Sequence, residues 1–478
     1  MKKVIILYII ISFLALGCSK KDDISLEFLR LSTGDLIPKF HPDTLVYEIT
    51  GLNSLRPIKI EAKTSNEYAI IKINGNKLSP DSTFVINELK KDAFLNISVI
   101  AESGSIRNYK IKLIPKDFPN IKVKVKNNPA PGYIFLSNFK LDLQFKPYIG
   151  RYLLILNNNG EPVFYKKVKF GAADFTKQEN GMYSYFIPDH FKLPEIFGHF
   201  EILDSNFNLI KIFKSKKGFT DLHEFIIDTN NHITYLGVKI DTIDLTSIGG
   251  KKNTIIWDYF IEQTDFDSKQ LFYWESFENY KVTDIISHYD LTVPYIEHGA
   301  NCNSISFDEK GNYILSSRKL DEITKIDKIS GEIIWRMGGV NCKNNQFKFI
   351  NDRYNGFSHQ HSAIILENKN LLVFDNGNFR TKDIIDGNIF KIPNSRVCEY
   401  KIDETKKIAY LVWEYLEVGV FAPIMGNCQR LKNGNTFICW SIPNPVISEI
   451  SPNGEKVLEM EFVDGFNSYT GFKFEINK

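Results

Sequence analysis

The sequence predicts an all-β protein in which an N-terminal β-sandwich is followed by a six-bladed β-propeller. Short runs of alternating apolar and polar residues, separated by Gly, Asn, Asp and Pro, recur along the chain, and no long stretch has helical periodicity. About seven such runs fall within residues 24–114, as expected for a sandwich. From residue 120 onward a unit of strand, tight turn and strand returns roughly every 50–80 residues, which is typical of propeller blades.

The composition is that of a globular protein with a sizeable core. Hydrophobic residues make up 43% of the 478 residues and charged residues 24%, which are ordinary values for a soluble protein. Lys and Arg number 59 against 57 Asp and Glu, so the chain lacks the basic excess of a nucleic-acid binder. The 37 Phe, 22 Tyr and 29 Gly suit strands and turns. We therefore expect a β-rich fold and no nucleic-acid partner.

The N-terminus has the pattern of an export signal. A positively charged start precedes an apolar run over residues 4–16, which is too short for a membrane-spanning helix. Gly17-Cys18 follows, and a small residue directly before a cysteine resembles a bacterial lipobox. This resemblance implies cleavage before Cys18 and lipidation of its thiol, which would tether the protein to a membrane. We assign residues 1–23 to signal peptide and tether, and expect an outer membrane lipoprotein that is periplasmic or surface-exposed.

Residues 24–114 form the predicted sandwich. Their strand-like runs alternate apolar and polar residues, as in Leu95-Asn96-Ile97-Ser98-Val99. The phrases Phe40-His41-Pro42 and Ile73-Asn74-Gly75 resemble those of a cadherin-like bacterial β-sandwich module. Residues 115–119 read as a linker. The sequence leaves open whether this domain serves docking, spacing or dimerisation, and so leaves a homodimer open.

Cysteine and glycine patterns bear on cofactors. Five of the six cysteines lie after Cys18, and an odd number in an exported protein leaves at least one thiol unpaired. A disulfide between Cys302 and Cys342 is left open, because a sequence does not determine their Cα separation. The chain has no Cys/His cluster with zinc spacing, no phosphate-binding glycine loop and no dinucleotide fingerprint. We therefore predict neither a metal nor another cofactor.

Residues 120–478 form the predicted propeller and carry the candidate site. In a propeller the first strand of each blade lines a central channel, so polar residues at the starts of these strands converge at one end. Arg318 ends the strand that follows one such start. Histidines, an arginine and carboxamides that meet in one place suit an anionic ligand. The residues at these starts are His223, His298, Asn301, Asn303, Gln360 and His361.

Several phrases stand in a recognisable order: Asp221-Leu222-His223-Glu224-Phe225, Asn303-Ser304-Ile305, Ser316-Ser317-Arg318, Gln360-His361-Ser362 and Asn433-Gly434-Asn435-Thr436. Together they resemble the bacterial aryl-sulfate sulfotransferase family. The resemblance implies a six-bladed propeller that moves a sulfuryl group from a phenolic sulfate ester to an acceptor phenol, by a ping-pong mechanism and without a nucleotide sulfate donor. It implies that His361 is the histidine that becomes sulfated, that Arg318 holds the sulfate, and that His223 comes from an earlier blade. The expected partners are small-molecule aryl sulfates and phenols.

One position departs from the family's pattern. The family has a His two residues before the Asn-Ser phrase, where this chain has Asn301; His298 lies three residues earlier and would substitute if the loop contains an insertion. His223 or His298 would then carry protons to and from the phenols. We assign Asn301, Asn303 and Gln360 to substrate binding. Two other functions stay open: a non-catalytic surface propeller lipoprotein that binds glycans or peptides, and a sulfohydrolase.

Overall fold

The computed structural model describes a protein made almost entirely of β-strands, as the sequence predicts. The chain divides into two compact units, Met1–Pro115 and Lys116–Lys478. Cys18 and His298, two of the predicted site residues, lie outside the described residues. The described residues are 22–79, 82–87, 94–140, 150–169, 171–189, 196–296, 300–380, 383–385, 388–390 and 394–476.

The first unit contains the predicted β-sandwich. Its strands are β1 (Leu26–Leu31), β2 (Leu36–Ile37), β3 (Val46–Ile49), β4 (Gly51–Asn53), β5 (Ile58–Thr64), β6 (Ile70–Ile73), β7 (Asn76–Lys77), β8 (Phe84–Ile86), β9 (Phe94–Ile100) and β10 (Ile106–Lys112). One sheet has the order β1-β5-β8 and the other β2-β3-β10-β9-β6-β7. The Leu26 amide of β1 donates to the Tyr109 hydroxyl of β10 at 3.0 Å. This buried bond links the two sheets.

The second unit contains many short strands and one single-turn α-helix among its described residues. Short 3-10 turns lie at Thr246–Ile248, Val282–Asp284 and Arg318–Leu320. The elements are β11 (Ile121–Lys126), β12 (Tyr133–Ser137), β13 (Arg151–Leu156), β14 (Pro162–Val168), β15 (Ala173–Lys177), β16 (Tyr183–Pro188), β17 (Gly198–Leu203), β18 (Leu209–Phe213), β19 (Phe219–Ile227), β20 (Ile233–Ile243), β21 (Thr254–Thr264), β22 (Gln270–Glu275), α1 (Ser276–Asn279), β23 (Tyr295–Ile296), β24 (Cys302–Phe307), β25 (Tyr313–Ser317), β26 (Glu322–Ile326), β27 (Ile333–Gly338), β28 (Lys348–Ile350), β29 (Ala363–Ile365), β30 (Leu371–Asp375), β31 (Asp383–Ile385), β32 (Asn388–Phe390), β33 (Arg396–Asp403), β34 (Ile408–Leu416), β35 (Asn427–Arg430), β36 (Thr436–Cys439), β37 (Ile447–Ile450), β38 (Lys456–Phe462) and β39 (Gly471–Phe474).

Most of these strands form successive antiparallel meanders. The meanders are β12–β14, β15–β18, β19–β22, β24–β27, β29-β30-β33-β34 and β35–β38. Their first strands pack on one another in order, β12 on β15, β15 on β19, β19 on β24 and β24 on β29. β30 then packs on β35, and β35 packs on β39. Because β39 pairs with β12, and β11 near the start of the unit pairs with β38, both ends of the unit join the same series of sheets.

The Asn/Gly phrases of the sequence form the turns between these strands. In the turn between β24 and β25, Asp308 Oδ1 accepts hydrogen bonds from the backbone N–H groups of Lys310 at 2.9 Å and Asn312 at 2.8 Å. Gly311 in the same turn has a φ of +82°, which a residue with a Cβ rarely adopts. The side-chain acceptor and the glycine together reverse the chain within a few residues.

The five cysteines among the described residues are buried and unpaired. Cys302, Cys342, Cys398, Cys428 and Cys439 are all free thiols. The disulfide between Cys302 and Cys342 that the sequence left open is therefore not formed. Each thiol packs in an apolar or hydrogen-bonded site, and burial raises its pKa. In the described part of the chain, we find no helix with the length and apolar character needed to cross a bilayer.

Candidate functional site

His361 lies at the entrance to β29. Its backbone N–H donates to the Phe374 carbonyl at 3.0 Å, and the Phe374 N–H donates to the Ser362 carbonyl at 2.9 Å. These bonds extend the pairing of β29 with β30 by two residues and hold the His361 backbone. The side chain is buried, with 4% of the residue exposed. The fold therefore presents one imidazole, rigidly held, from the first strand of its sheet.

His223 faces His361 from another sheet. β19 interrupts its pairing with β20 between Thr220 and Phe225, and the resulting bulge carries His223. The His223 and His361 ring centroids are 5.7 Å apart. Asp221 Oδ1 lies 2.6 Å from His223 Nδ1 and accepts the His223 backbone N–H at 2.8 Å. A carboxylate at Nδ1 favours the tautomer in which Nε2 keeps its lone pair.

Tyr469 completes a cluster with the two histidines. Its hydroxyl lies 3.4 Å from His361 Nε2, and its ring centroid is 5.6 Å from that of His361 and 6.0 Å from that of His223. Burial raises the pKa of Tyr469 well above its ordinary value, and nearby carboxyl groups add to the shift. Tyr469 is therefore a phenol at neutral pH and can donate its proton in a hydrogen bond.

Arg318 supplies the positive charge. It follows β25, and its backbone N–H donates to the Asn301 carbonyl at 2.9 Å. Its guanidinium donates to the Tyr289 hydroxyl at 3.3 Å and to the Pro423 carbonyl at 2.9 Å. The buried Nε–H has no hydrogen-bond partner among the described residues. An arginine donor left open in this way is available to an oxyanion.

The environment keeps the His361 ring neutral. Burial lowers the pKa of His361 well below its ordinary value, and the neighbouring His223 and Arg318 lower it further. A hydrogen bond between the ring and the Gly426 backbone opposes the shift. Since burial is the largest cause, the direction follows from desolvation of the charged form. A neutral imidazole retains the lone pair that a nucleophile needs.

A cavity of about 300 Å³ adjoins both histidines. Its wall includes Asp174 and Glu224, whose carboxyl groups are buried. Burial raises the pKa of Asp174 to about 8. Burial and the neighbouring Asp174 raise the pKa of Glu224 well above its ordinary range. Burial therefore disfavours the charged form of both groups, which lessens the repulsion of an anion by this wall.

The three predicted substrate-binding residues have different surroundings. The Asn301 side chain donates to the Tyr259 hydroxyl at 3.4 Å. Asn303 lines the cavity; its Nδ2 donates to the Gln360 carbonyl at 2.9 Å, and its Oδ1 is buried without a partner in the described structure. The Gln360 carboxamide donates to the Ser316 hydroxyl at 3.1 Å and the Glu322 carbonyl at 2.9 Å. Gln360 therefore ties the chain before His361 to the sheet of β25 and β26.

Sequence reasoning missed several side chains of this site. Tyr469 and Tyr289 lie in segments without a recurring phrase, so only the fold brings them to His361 and Arg318. Asp221 orients His223, whereas the adjacent Glu224 accepts the Ile305 backbone N–H at 3.2 Å.

His359, two residues before His361, has hydrogen-bond partners of its own. His359 Nδ1 lies 2.8 Å from Asp321 Oδ1, and its Nε2 lies 2.7 Å from the Tyr289 hydroxyl. The described residues contain no group of three or more His, Cys, Asp or Glu side chains arranged to hold a metal ion.

A neutral, buried imidazole beside an arginine with an open N–H is the chemistry of a site that transfers an oxyanionic group. The profile of the arylsulfotransferase (ASST) family matches residues 127–472, and the chain belongs to this family. Residues 22–114 match the cadherin-like beta sandwich domain. At the family level, the protein is therefore an enzyme of the arylsulfotransferase type.

Other comparisons find only distant likenesses. A protein of unknown function from Bacteroides caccae is 12% identical, with 72% of this chain and 99% of that chain covered and a TM-score of 0.45. Kuenenia stuttgartiensis hydrazine synthase is 7% identical, with coverage of 87% and 97% and a TM-score of 0.38. An auxiliary nutrient binding protein from Bacteroides ovatus is 9% identical, with coverage of 95% and 92% and a TM-score of 0.33. These likenesses carry no argument for function. No curated protein matches the chain.

Proposed function

We propose that this protein is an aryl-sulfate sulfotransferase that carries a sulfuryl group on His361 between a phenolic sulfate donor and a phenol acceptor. One observation carries the proposal: His361 is buried and neutral, and Arg318 is near enough to lower the pKa of its ring. The Arg318 Nε–H has no hydrogen-bond partner among the described residues. The neutral ring is a nucleophile and the open N–H is an oxyanion ligand. No nucleotide sulfate donor or cofactor enters the scheme.

The fold proposed for the second unit is a six-bladed propeller. In support, the six meanders each contribute a first strand to a series of contacts that runs from β12 to β35 and returns through β39 to β12. The two ends of a propeller usually share a blade, which removes exposed sheet edges. In this arrangement the boundaries are residues 1–23 for signal and tether, 24–114 for the sandwich and 120–478 for the propeller.

The reaction consists of two displacements at sulfur. In the first, a ring nitrogen of His361 attacks the sulfur of the donor, the N–S bond forms, and the S–O bond to the aryl group breaks. The electron pair of that bond leaves with the phenolate. In the second, the oxygen of the acceptor phenol attacks the same sulfur, the N–S bond breaks, and its electron pair returns to the ring. The enzyme is thereby restored with no net change of charge.

Arg318 stabilises the sulfuryl oxygens in both displacements. These oxygens carry negative charge throughout, and a guanidinium presents fixed donors to them without rearranging. Donors of this kind typically contribute about 10²- to 10³-fold to a rate. The backbone bond from Arg318 to Asn301 and the bond to the Pro423 carbonyl hold the guanidinium in place.

His223 and Tyr469 lie beside His361, with ring centroids 5.7 Å and 5.6 Å from its ring. With Asp221 at its Nδ1, His223 has a neutral Nε2 that can accept a proton. The Tyr469 hydroxyl, 3.4 Å from His361 Nε2, can donate to an oxygen bound beside that nitrogen. His298 remains a prediction. Asn301 cannot take over the role of a histidine, because a carboxamide does not exchange protons near neutral pH.

The proposal is tested by trapping the sulfated enzyme. Purified protein is mixed with para-nitrophenyl sulfate, quenched, digested and analysed by mass spectrometry. We expect an adduct of about 80 Da, the mass of SO₃, on the peptide that contains His361, as in any covalent relay. His361→Ala should abolish both the adduct and phenol-dependent release of para-nitrophenol. A donor-treated wild-type protein without the adduct would contradict the proposal.

A matched control separates chemistry from folding. His232→Ala removes another histidine of the same unit, whose Nδ1 lies 3.1 Å from Asp228 Oδ2 and which is partly exposed. We expect this variant to keep full transfer activity. Release of para-nitrophenol that does not depend on added phenol, but does depend on His361, would assign the protein as a sulfohydrolase.

Asn301 favours a second candidate, the non-catalytic surface propeller. The family's pattern places a proton-transferring histidine at this position. This chain has a neutral carboxamide there, which donates to the Tyr259 hydroxyl. A surface lipoprotein that binds glycans or peptides would show saturable binding of such a ligand and no adduct on His361. The trapping experiment therefore decides between the two functions.

A further inference from the structure

We propose that Tyr289, His359 and Asp321 form a proton relay beside Arg318, and that Tyr289 is a catalytic residue that exchanges the phenol proton. The inference rests on the proposed sulfotransferase function. It assigns the proton step to side chains outside the family's matching phrases. It also gives a role to a buried histidine that the transfer of the sulfuryl group does not use.

The geometry is a continuous series of hydrogen bonds. Asp321 Oδ1 accepts the His359 backbone N–H at 2.7 Å and lies 2.8 Å from His359 Nδ1. His359 Nε2 lies 2.7 Å from the Tyr289 hydroxyl. The Tyr289 oxygen accepts an N–H of Arg318 at 3.3 Å. The relay therefore runs from a fully buried carboxylate to the guanidinium that is proposed to hold the sulfuryl group.

The backbone at this point is held in an unusual conformation. His359 has a φ of +56° and Asp321 a φ of +50°, a region that costs energy for residues with a Cβ. Both side chains are almost completely buried, at 1% and 0% exposure. Strained positions that persist in a buried cluster are typical of functional sites, because surrounding bonds must fix them. In this conformation the His359 ring lies between Asp321 and Tyr289.

The bonding partners set the direction of proton flow. A carboxylate accepts only, so the Nδ1 of His359 carries the proton that faces Asp321. In the neutral ring, Nε2 is then the acceptor for the Tyr289 hydroxyl. The Tyr289 oxygen keeps a lone pair for a phenol bound near Arg318. This is the logic of a Ser-His-Asp triad, with a tyrosine hydroxyl in the place of the serine.

The proton balance closes over the two half-reactions. When the acceptor phenol attacks, its proton moves to the Tyr289 oxygen, the Tyr289 proton moves to His359 Nε2, and the imidazolium is paired with Asp321. When the next donor reacts, the same chain runs backward: His359 returns a proton to Tyr289, and Tyr289 protonates the departing phenolate. No proton is gained or lost per cycle.

Neighbouring groups suit these proton transfers. Tyr289 is itself a phenol, and burial raises its pKa, so its oxygen is a suitable base for the proton of a phenolic substrate. Burial lowers the pKa of His359, although Asp321 opposes the shift. Its imidazolium is therefore a stronger acid toward a leaving phenolate. Phe379 packs edge-on to His359 at 4.5 Å and flat on His288 at 4.0 Å, which provides an aromatic wall beside the relay.

Tyr289→Phe tests the relay, because it removes only the hydroxyl. The unaltered protein and the variant are compared in both half-reactions with substrates of different acidity. Para-nitrophenolate leaves without a proton, so we expect the variant to form sulfated His361 from para-nitrophenyl sulfate as fast as the unaltered protein. Transfer from sulfated His361 to the weakly acidic para-cresol should fall by about 10²- to 10⁴-fold, the range for general acid–base catalysis. Transfer to para-nitrophenol should fall much less.

His359→Gln tests whether His359 positions Tyr289. We expect this variant to show the same dependence on phenol acidity as Tyr289→Phe. It also carries the test if Tyr289→Phe fails to fold. The matched control is Tyr280→Phe, which removes a buried hydroxyl bonded to Thr324 Oγ1 at 2.7 Å outside the site; we expect no dependence on phenol acidity.

The outcomes separate the two proposals. An equal loss with every phenol, or no loss, would overturn the relay while sulfation of His361 stands. Absence of sulfated His361 in the unaltered protein would instead overturn the proposed function. A selective loss with weakly acidic phenols in Tyr289→Phe and His359→Gln supports the relay.

Discussion

At the residue scale, burial decides which side chains are charged. His361 is neutral because its imidazolium would be desolvated beside His223 and Arg318. The pKa values of Asp174 and Glu224 are raised for the corresponding reason, since burial disfavours the carboxylate. Arg318 keeps its proton despite a pKa that burial lowers, because guanidinium ionisation lies far above neutral pH. Arg318 therefore offers a cation to an anionic substrate.

The first prediction concerns pH. A histidine in water has a pKa of 6.5, and that of His361 lies well below it, so the ring stays neutral as the pH falls through this value. We expect the burst of para-nitrophenol from para-nitrophenyl sulfate to keep its rate between about pH 8 and pH 6, where an ordinary histidine would lose nucleophilicity. Stopped-flow absorbance measures the burst. A fall with a midpoint near the ordinary histidine pKa would contradict it.

The same shift has a consequence for stability. Below about pH 6.5 the unfolded chain takes up a proton at His361 that the folded chain does not bind. The free energy of unfolding contributed by this group is therefore complete above that pH and decreases as the pH falls. Chemical denaturation at several pH values would register the difference between unaltered protein and His361→Ala.

Arg318→Lys is the second prediction. Lysine keeps the positive charge but lacks the fork of N–H donors, including the open Nε–H. We expect the rate constant for sulfation to fall by about 10²- to 10³-fold, with unchanged thermal stability. Arg353→Lys, at a partly exposed position 3.6 Å from Glu414, is the matched control. An equal effect of both changes would contradict the role of Arg318.

At the element scale, short loops hold the site together. Asn376 Nδ2 donates to the carbonyls of Ala422 at 2.7 Å and Met425 at 2.9 Å, and thereby fixes the loop before β35. Gly426 ends this loop with a φ of +91°. A Cβ at Gly426 would lie 2.4 Å from the Phe374 ring. The loop can therefore approach His361 only because this residue has no side chain.

Gly426→Ala is the third prediction. We expect loss of about 1–3 kcal/mol of stability from backbone strain, a further loss from the clash with Phe374, and weaker sulfation of His361. Gly454→Ala is the matched control, since Gly454 has a similar φ of +85° but no atom within 4 Å of a built Cβ. Thermal denaturation and the burst assay measure both effects. Similar results for the two variants would show that the contact with Phe374 is unimportant.

A buried ion network gives the fourth prediction. Arg396 is fully buried in β33 and donates to Asp375 Oδ2 at 2.8 Å and to Asp352 Oδ1 at 3.0 Å. Arg396→Met removes the cation that pairs with both carboxylates, although Asp375 keeps a second ion pair, with Arg380 at 3.0 Å. Removing one partner of such a network typically costs about 3–5 kcal/mol, which equilibrium unfolding in urea would measure. A change below about 1 kcal/mol, the range of exposed pairs, would contradict this account.

At the scale of the whole molecule, the features of the fold that can be predicted from the sequence are those set by local patterns. Asn and Gly phrases such as Asp308 to Asn312 form the turns that the sequence predicts, and the alternation of strands such as β9 follows from one buried face. The all-β class and the N-terminal sandwich are confirmed. These features depend on neighbours in sequence, so one sequence suffices to predict them.

The remaining part depends on contacts between distant segments. Tyr469 reaches His361 across 108 positions of sequence, and Tyr289 reaches His359 across 70. The choice of Asp221 over Glu224 as partner of His223 follows from a bulge in β19, which no spacing rule indicates. The predicted roles of Arg318 and His223 stay predictions, although the fold brings His223 to His361.

The fifth prediction concerns location. If Cys18 carries the lipid tether that we propose, Cys18→Ala should release the protein from the membrane fraction while leaving transfer activity in the soluble fraction. Fractionation followed by the para-nitrophenol assay measures both. Continued co-sedimentation of the variant with membranes would contradict the tether.

The reactivity of the buried thiols can report local opening of the structure. Since burial raises the pKa of Cys428 to about 12, a maleimide reagent should scarcely label this thiol until the segments packed around it separate. Cys428 follows the Gly426 loop, whereas Cys398 lies in β33 beside the Arg396 network. If ligand entry requires the loop to open transiently, Cys428 will be labelled faster than Cys398. A bound aryl sulfate will then slow the labelling of Cys428 and leave that of Cys398 unchanged.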